Sequence, residues 1–166
     1  MDWLDDMVRL FIFILPAMVA NGTPVILHGP PPIDLGRKFY DGRRILGDGK
    51  TWGGFLAGIT AGTFIGVLEW PLFGASHIFY AAAASFGALI GDLFGSFVKR
   101  RVGLERGAEA PLLDQLGFYV FSLIVLYATG VTFSLYAELA WAVIIYALHR
   151  GTNFIAYKLK LKSVPW

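Results

Sequence analysis

Two aspartates, Asp92 and Asp114, flank a basic cluster in the middle of the chain, and each lies at the edge of a strongly apolar run. Acidic side chains placed against hydrocarbon are costly, so they usually have a function. Asp92, Ser96 and Lys99 are spaced so that a helix puts them on one face. Two carboxylates with few other ligands suit Mg²⁺, which takes its remaining ligands from water and phosphates. The pattern indicates a metal site with phosphate-binding cations.

An ion-pair network is the alternative interpretation of the same residues. Asp92 would then pair with Lys99 or Arg100, and Asp114 would pair with Arg106. Basic side chains at helix ends also extend into the headgroup region of a membrane and bind lipid phosphates there. Spacing alone therefore leaves the metal site and the ion pairs open as alternatives.

The composition predicts an integral membrane protein with one helical domain over residues 1–166. The chain is 56% hydrophobic and 16% charged, whereas soluble domains carry about a quarter charged residues. There is no cysteine, which excludes disulfides, thiolate metal sites and cysteine nucleophiles. The acidic first residues and the length of the first apolar run do not fit a cleavable signal peptide.

The apolar runs predict a single bundle of five transmembrane helices, since one span needs about 20 residues. The predicted spans cover residues 4–27, 52–69, 77–97, 112–128 and 133–148. Pro24 disturbs the end of the first span, so Asn21 is either a packed residue at a kink or a site residue. Residues 28–51 form a long polar loop, and residues 149–166 form a basic tail that could lie on the membrane surface.

Small residues recur every four positions on the second and third predicted spans. Such stripes allow helix backbones to approach closely in lipid. We therefore expect these two spans to pack against each other along both stripes, which consist of Gly54, Gly58, Gly62 and Gly66 on one and Ala83, Gly87, Gly91 and Gly95 on the other.

The distribution of positive charge predicts the topology. All 14 lysines and arginines except Arg9 fall in the long loop, after the third span or in the tail. The positive-inside rule makes that side cytoplasmic and places the N-terminus outside. The opposite side has short connections and is nearly featureless in the sequence, which argues against a transporter with polar groups on both faces.

Three stretches give the chain a family resemblance that extends over nearly its whole length: PIDLGRKFYDGRRILGDGKTWGG, GDLFGSFVKRR and AEAPLLDQLGF, together with Asn21 and Pro24. With these motifs it resembles the CDP-archaeol synthase family, the archaeal relatives of the CDP-diacylglycerol synthases. The resemblance implies a Mg²⁺-dependent reaction between CTP and an unsaturated, ether-linked archaeal lipid phosphate. The products implied are the CDP-activated lipid and pyrophosphate.

The same resemblance implies roles for individual residues. Asp92 and Asp114 take the positions of the metal-binding and catalytic acids, and Lys99 and Arg100 match basic residues of the wider family. The residues expected to bind substrate are Asn21, Lys50, Thr51, Ser96, Arg101 and Gln115. After the basic cluster the chain departs from the bacterial pattern, because Glu105-Arg106 and Asp114-Gln115 replace a Lys-Asp pair and a longer glycine-rich acidic stretch.

The expected partners are CTP, an isoprenoid ether-lipid phosphate and membrane lipids, with no nucleic acid. The active site is expected on the cytoplasmic face of the cell membrane, and a homodimer is left open. Two rivals remain at this point: a small transporter or lipid-binding membrane protein with a cationic mouth, and another lipid nucleotidyltransferase or phosphotransferase. No sequence motif identifies the residue that selects the base.

Overall fold

Helices account for most of the chain in the computed structural model, which describes residues 2–105, 107–161 and 163–165. The prediction of an all-α protein with five helices is confirmed for these residues. Three helices are long and apolar enough to cross a membrane, and α4 is a shorter apolar helix. The helices are α1 Trp3–Gly22, followed by a 3₁₀ turn Thr23–Val25, then α2 Trp52–Phe73, α3 Ser76–Arg101, α4 Leu113–Ala128 and α5 Leu135–Lys158.

Helix α3 lies at the centre of the bundle and packs against α1, α2 and α4. The core between these helices includes Leu10, Ile14, Ala84, Ala88 and Leu126, all fully buried. Helix α5 lies at the edge, in contact with α1 and α4. Because α3 touches three neighbours, side chains near its end can meet residues from most of the bundle.

The glycine stripe of α2 faces both α1 and α3. A Cβ added at Gly58 would lie 2.8 Å from the carbonyl oxygen of Ala20 and 3.0 Å from Cδ1 of Leu89. The stripe of α3 instead faces α4, since a Cβ at Gly91 would lie 2.5 Å from the carbonyl oxygen of Gly117. Packing between α2 and α3 is therefore confirmed, but the prediction that the two stripes meet is wrong. The glycines of α3 occupy the helix face that is turned away from Leu89.

Two helix ends extend beyond their predicted positions. Lys99, Arg100 and Arg101 form the last turn of α3 rather than a loop, and cations there are favoured by the helix dipole. Helix α5 continues to Lys158, so the predicted boundary at residue 148 and a separate tail from residue 149 are wrong. Between residues 149 and 158 there is no proline to end the helix. Lys162, predicted to be part of the tail, lies outside the described residues.

The bundle end opposite the long loop is not featureless, contrary to the sequence-based expectation. The carboxylate of Asp6 accepts a hydrogen bond of 2.8 Å from the backbone amide of Ser134, at the start of α5. A guanidinium nitrogen of Arg9 donates to the carbonyl oxygen of Thr132 at 3.1 Å. Nε2 of His77 lies 3.0 Å from the carboxylate of Glu69, which links α2 to α3. These polar contacts connect the ends of the helices at this end of the bundle.

Replacing Gly91 by Ala should destabilise the bundle, although Ala favours a helix by about 1 kcal/mol over Gly. The added methyl meets the α4 backbone, which cannot move aside as a flexible side chain can, and overpacking of this kind costs about 1–3 kcal/mol. Thermal unfolding of the detergent-solubilised protein measures the effect. Gly95→Ala is the matched control, because its nearest neighbour is a Leu113 side-chain atom at 3.6 Å. A Gly91→Ala variant as stable as the control would contradict this packing.

Candidate active site

A polar cavity of about 290 Å³ lies where α1 and α3 end and where α2 and α4 begin. Its wall combines residues of α1, α3 and α4 with Gly107 and the segment that precedes α2. The lining residues are Asn21, Leu46, Gly47, Asp48, Gly49, Lys50, Asp92, Gly95, Ser96, Lys99, Arg100, Gly107, Leu113, Asp114 and Phe118. The structure thus brings Asn21, the two predicted acids and most of the predicted cations to one place.

Asp92 is paired with Lys50, which is contributed by the long loop. Nζ of Lys50 donates to both carboxylate oxygens, at 2.7 and 2.6 Å. The next residue, Thr51, is the N-cap of α2, and its hydroxyl oxygen accepts a hydrogen bond from the amide of Gly54 at 3.1 Å. The cap fixes the start of α2 and therefore the position from which Lys50 reaches α3.

Asp114 is paired with Lys99, so each of the two predicted acids has its own lysine. Nζ of Lys99 lies 2.9 Å from both carboxylate oxygens, and the amide of Ala110 donates to one of them at 2.9 Å. Ion pairs therefore exist, but Lys99 and Arg100 are not the partners of Asp92. Arg106, the predicted partner of Asp114, lies outside the described residues.

Arg100 supplies a positive charge to the cavity that no described residue neutralises. Its Nε atom is buried and has no hydrogen-bond partner among the described residues. Ser96, one turn earlier on α3, lines the same wall, and Asn21 lies opposite on the last turn of α1. The cavity thus offers a guanidinium, a hydroxyl and a carboxamide to a ligand.

One buried carboxylate, that of Asp34, organises the loop of residues 28–51. It accepts hydrogen bonds from the guanidinium of Arg44 at 2.7 Å and from the amides of Leu46 and Gly47 at 2.9 Å, and from the amide of Gly36 at 3.1 Å. Burial alone would raise the pKa of Asp34, but these hydrogen bonds outweigh it and hold the pKa well below its usual range. The hydrogen bonds to Asp34 therefore fix the position of the loop segment that lines the cavity.

Two arginines hold the loop against the end of α3. Arg43 donates to the carbonyl oxygen of Arg101 at 2.9 Å, where the helix leaves its last carbonyls unpaired. Arg101 donates to the carboxylate of Asp41 at 2.9 Å, and its guanidinium lies 4.7 Å from the ring centre of Phe39 and 5.0 Å from that of Phe97. Arg101 thus contacts the loop and is not among the cavity-lining residues.

Thr51 and Gln115 are likewise absent from the lining of the main cavity. Gln115 is fully buried next to Asp114, and neither polar atom of its side chain has a partner among the described residues. Three loop residues that support the cavity had no assigned role in the sequence: Asp34, Arg43 and Arg44. The alternation of acids and cations in the loop was their only signal.

Acid–lysine pairs and a guanidinium lie in one cavity at one end of an apolar helical bundle, which suits an enzyme that binds phosphorylated substrates at a membrane. A family model described as CarS-like CDP-archaeol synthase matches residues 4–166. The chain therefore belongs to the CDP-archaeol synthase family.

Individual relatives are similar in sequence to this chain over nearly its whole length. It is 48% identical to the CDP-archaeol synthase of Aeropyrum pernix, over 99% of this chain and 96% of the relative. It is 46% identical to the one from Sulfolobus acidocaldarius, over 93% of this chain and 95% of the relative. A solved structure described as an intramembrane enzyme for archaeal membrane lipids biosynthesis has a TM-score of 0.84 and 47% identity, and the match covers 89% of this chain and 94% of that one.

The loop should lose its order in acid because of Asp34. Since the pKa of the folded carboxyl lies below its ordinary value of 3.8, its stabilisation is complete above that pH and is lost as the pH falls below it. Pepsin should therefore cleave within residues 28–51 increasingly as the pH drops below 3.8. The Asp34→Asn variant should be cleaved there above that pH as well. Equal protection of the two proteins at every pH would contradict the role of Asp34.

Proposed function

We propose that the chain transfers CMP from CTP to an isoprenoid ether-lipid phosphate, a glycerol phosphate with two geranylgeranyl ether chains. The products are CDP-archaeol and pyrophosphate. The observation that carries the proposal is the cavity in which Lys50, Lys99 and Arg100 converge on one space at the end of a membrane bundle. Family membership supplies the reaction, and the cavity supplies cations for the phosphates of a nucleoside triphosphate, next to carboxylates that would hold a metal ion.

The reaction requires little covalent chemistry from the protein. A phosphate oxygen of the lipid attacks the α-phosphorus of CTP and forms a new P–O bond. The bond from the α-phosphorus to the bridging oxygen breaks, and the electron pair leaves with pyrophosphate. The lipid phosphate is already ionised near neutral pH, so the nucleophile needs no strong base. The main contributions of the protein are positioning and electrostatic stabilisation.

The residues predicted from the sequence include some that line the cavity and some that do not. We assign Lys50, Lys99 and Arg100 to the phosphates, because all three bring positive charge into the cavity. Asn21 and Ser96 offer neutral polar groups there to the rest of the substrate. Thr51 and Arg101 are assigned positioning roles, and Gln115, next to Asp114 in the chain, has a side-chain amide with no partner in the described part of the chain.

The donor set fits a magnesium ion. Asp92 and Asp114 present hard oxygen ligands on facing elements of one cavity, and they would hold the ion while substrate phosphates and water complete its coordination. Within the described residues no group of three or more His, Asp or Glu side chains could hold a metal. When bound, Mg²⁺ supplies positive charge that neutralises phosphate oxygens. With the carboxylates holding the ion, Lys50 and Lys99 would pair with the phosphates of CTP instead.

We further propose that residues 1–166 form one catalytic domain in the cell membrane, with five spans and the N-terminus outside. The cavity end of the bundle carries the long loop, the last turn of α3 and the last turns of α5, which contain nearly all the described lysines and arginines. By the positive-inside rule this end faces the cytoplasm, where CTP is available.

Purified protein incubated with CTP and a geranylgeranyl ether-lipid phosphate should form a CDP-lipid in the presence of Mg²⁺. Label at the α-phosphorus of CTP should move to the lipid, whereas label at the γ-phosphorus should appear in pyrophosphate. Transfer of the γ label to the lipid would indicate a phosphotransferase instead. CTP consumption without a lipid phosphate, or no reaction with it, would contradict the proposal.

Asp92→Asn and Asp114→Asn should each lower turnover by about a hundredfold or more, the scale at which a preorganised electrostatic group contributes. Each substitution keeps the size of the side chain but removes its charge, so the bundle should still fold. Asp5→Asn, at an exposed carboxylate in the first turn of α1, is the control. Turnover retained in either cavity variant would eliminate that carboxylate as an essential ligand.

The absence of cysteine allows a direct test of the topology. A cysteine placed at Asp2 should react with a membrane-impermeant maleimide in intact cells. A cysteine placed at Tyr40, which is 99% exposed in the loop, should react only after the membrane is permeabilised. The reverse pattern would place the cavity outside the cell.

A further inference from the structure

Asp48 differs from the other two carboxylates that line the cavity. Both oxygens of Asp92 and both oxygens of Asp114 accept hydrogen bonds from a lysine. Asp48 is paired through one oxygen, Oδ1, with a nitrogen of Arg44 at 2.7 Å. No described residue donates a hydrogen bond to its other oxygen, and its side chain is 64% exposed. Asp48 therefore presents a free hydrogen-bond acceptor to whatever occupies the cavity.

The orientation of this acceptor is fixed by a chain of ion pairs. Arg44 lies between Asp48 and Asp34, and another of its nitrogens donates to Asp34 at 2.7 Å. The side chain of Asp34 is 1% exposed and is held by the backbone amides of Leu46 and Gly47. The guanidinium of Arg44 is thus anchored to the same loop segment that carries Asp48.

An ionised carboxylate only accepts hydrogen bonds, so its partner must be a donor. The phosphates of a nucleoside triphosphate are anionic acceptors, which Asp48 repels and the cations of the cavity attract. The donors of CTP are the exocyclic amino group of cytosine and the hydroxyls of the ribose. Carboxylates are known to accept hydrogen bonds from the cytosine amino group, and uracil presents a carbonyl oxygen in the same position.

We infer that Asp48 determines base specificity, accepting a hydrogen bond from the exocyclic amino group of cytosine and excluding uracil by repulsion of its carbonyl oxygen. This inference rests on the proposed use of CTP. It places the base against loop residues 46–49 and the phosphates against Lys99 and Arg100 of α3. Because the Asp48 side chain is 64% exposed, water can pair with its free oxygen when cytosine is absent, and the discrimination against uracil comes from the repulsion between the carboxylate and the carbonyl oxygen of uracil.

The Asp48→Asn variant tests the inference, because Arg44 fixes how the new amide is oriented. The guanidinium binds the amide oxygen, which leaves the NH₂ group facing the substrate. That group opposes the amino group of cytosine and matches the carbonyl oxygen of uracil. We expect the preference for CTP over UTP in kcat/KM to fall by about tenfold or more. The stabilisation of the protein against heat by each nucleotide should shift in the same direction.

Comparison of CTP with its deoxyribose analogue separates the base from the ribose. If Asp48 binds the base, the variant should keep the wild-type ratio between the two sugars while its ratio between CTP and UTP changes. An equal loss for CTP and UTP, or a change confined to the sugar ratio, would overturn the inference. Asp5→Asn, with the same chemical change at an exposed carboxylate of α1, should leave both ratios unchanged.

The proposed function and the inference fail in different ways. A wild-type protein that neither binds nor consumes CTP contradicts the function itself, and the assignment of Asp48 falls with it. A wild-type protein that uses CTP, together with a variant that keeps the full preference for CTP over UTP, contradicts the assignment of Asp48 alone. Thermal unfolding without nucleotide shows that the variant is folded before the ratios are compared.

Discussion

The ion pair between Lys50 and Asp92 connects the loop wall of the cavity to the central helix α3. The packing of the bundle makes this contact possible. Lys50 belongs to the segment before α2, whereas Asp92 lies on the central helix α3. Nζ of Lys50 can reach both carboxylate oxygens only because α2 and α3 are close, and Gly58 permits this by leaving room for Leu89. The pair is partly exposed, so loss of one charge leaves the other without its partner but still in contact with solvent. The pair therefore couples helix packing to the charge balance of the site.

The long loop forms a folded wall of the cavity. Asp34 gathers the loop around one carboxylate, and Arg43 and Arg101 fasten it to the end of α3. Preorganised dipoles and charges stabilise a reacting phosphate without the cost of rearranging at the moment of reaction. In the proposed mechanism the loop matters even where it does not contact substrate, because it sets the positions of Lys50 and Asp48.

The sequence was sufficient to predict the helices and most of the residues that form the site. It was not sufficient to predict which of these residues contact each other. Apolar runs identify helices because hydropathy reports burial in lipid, yet they do not reveal that α3 and α5 continue through polar residues to Arg101 and Lys158. A stripe of glycines shows which face of a helix allows close approach, but not which neighbour occupies it. The partner of Asp92 is 42 residues away in the chain, so local spacing favoured Lys99 and Arg100 instead. Pairings of this kind depend on how a loop folds, and this loop folds around one buried carboxylate, that of Asp34.

The two ends of the bundle use polar groups in opposite ways, and this difference favours an enzyme over a transporter. At the end distant from the cavity, Asp6 and Arg9 bind backbone groups near the start of α5, and Glu69 binds His77. These contacts lock helices together, whereas alternating access requires one part of a bundle to move against another around a site near the midplane. At the cavity end, the proposed mechanism has each lysine exchange its carboxylate for a phosphate, and Nε of Arg100 has no described partner to give up. Contacts between helices at one end and a polar cavity at the other fit the proposed enzyme better than a transporter with a site near the midplane.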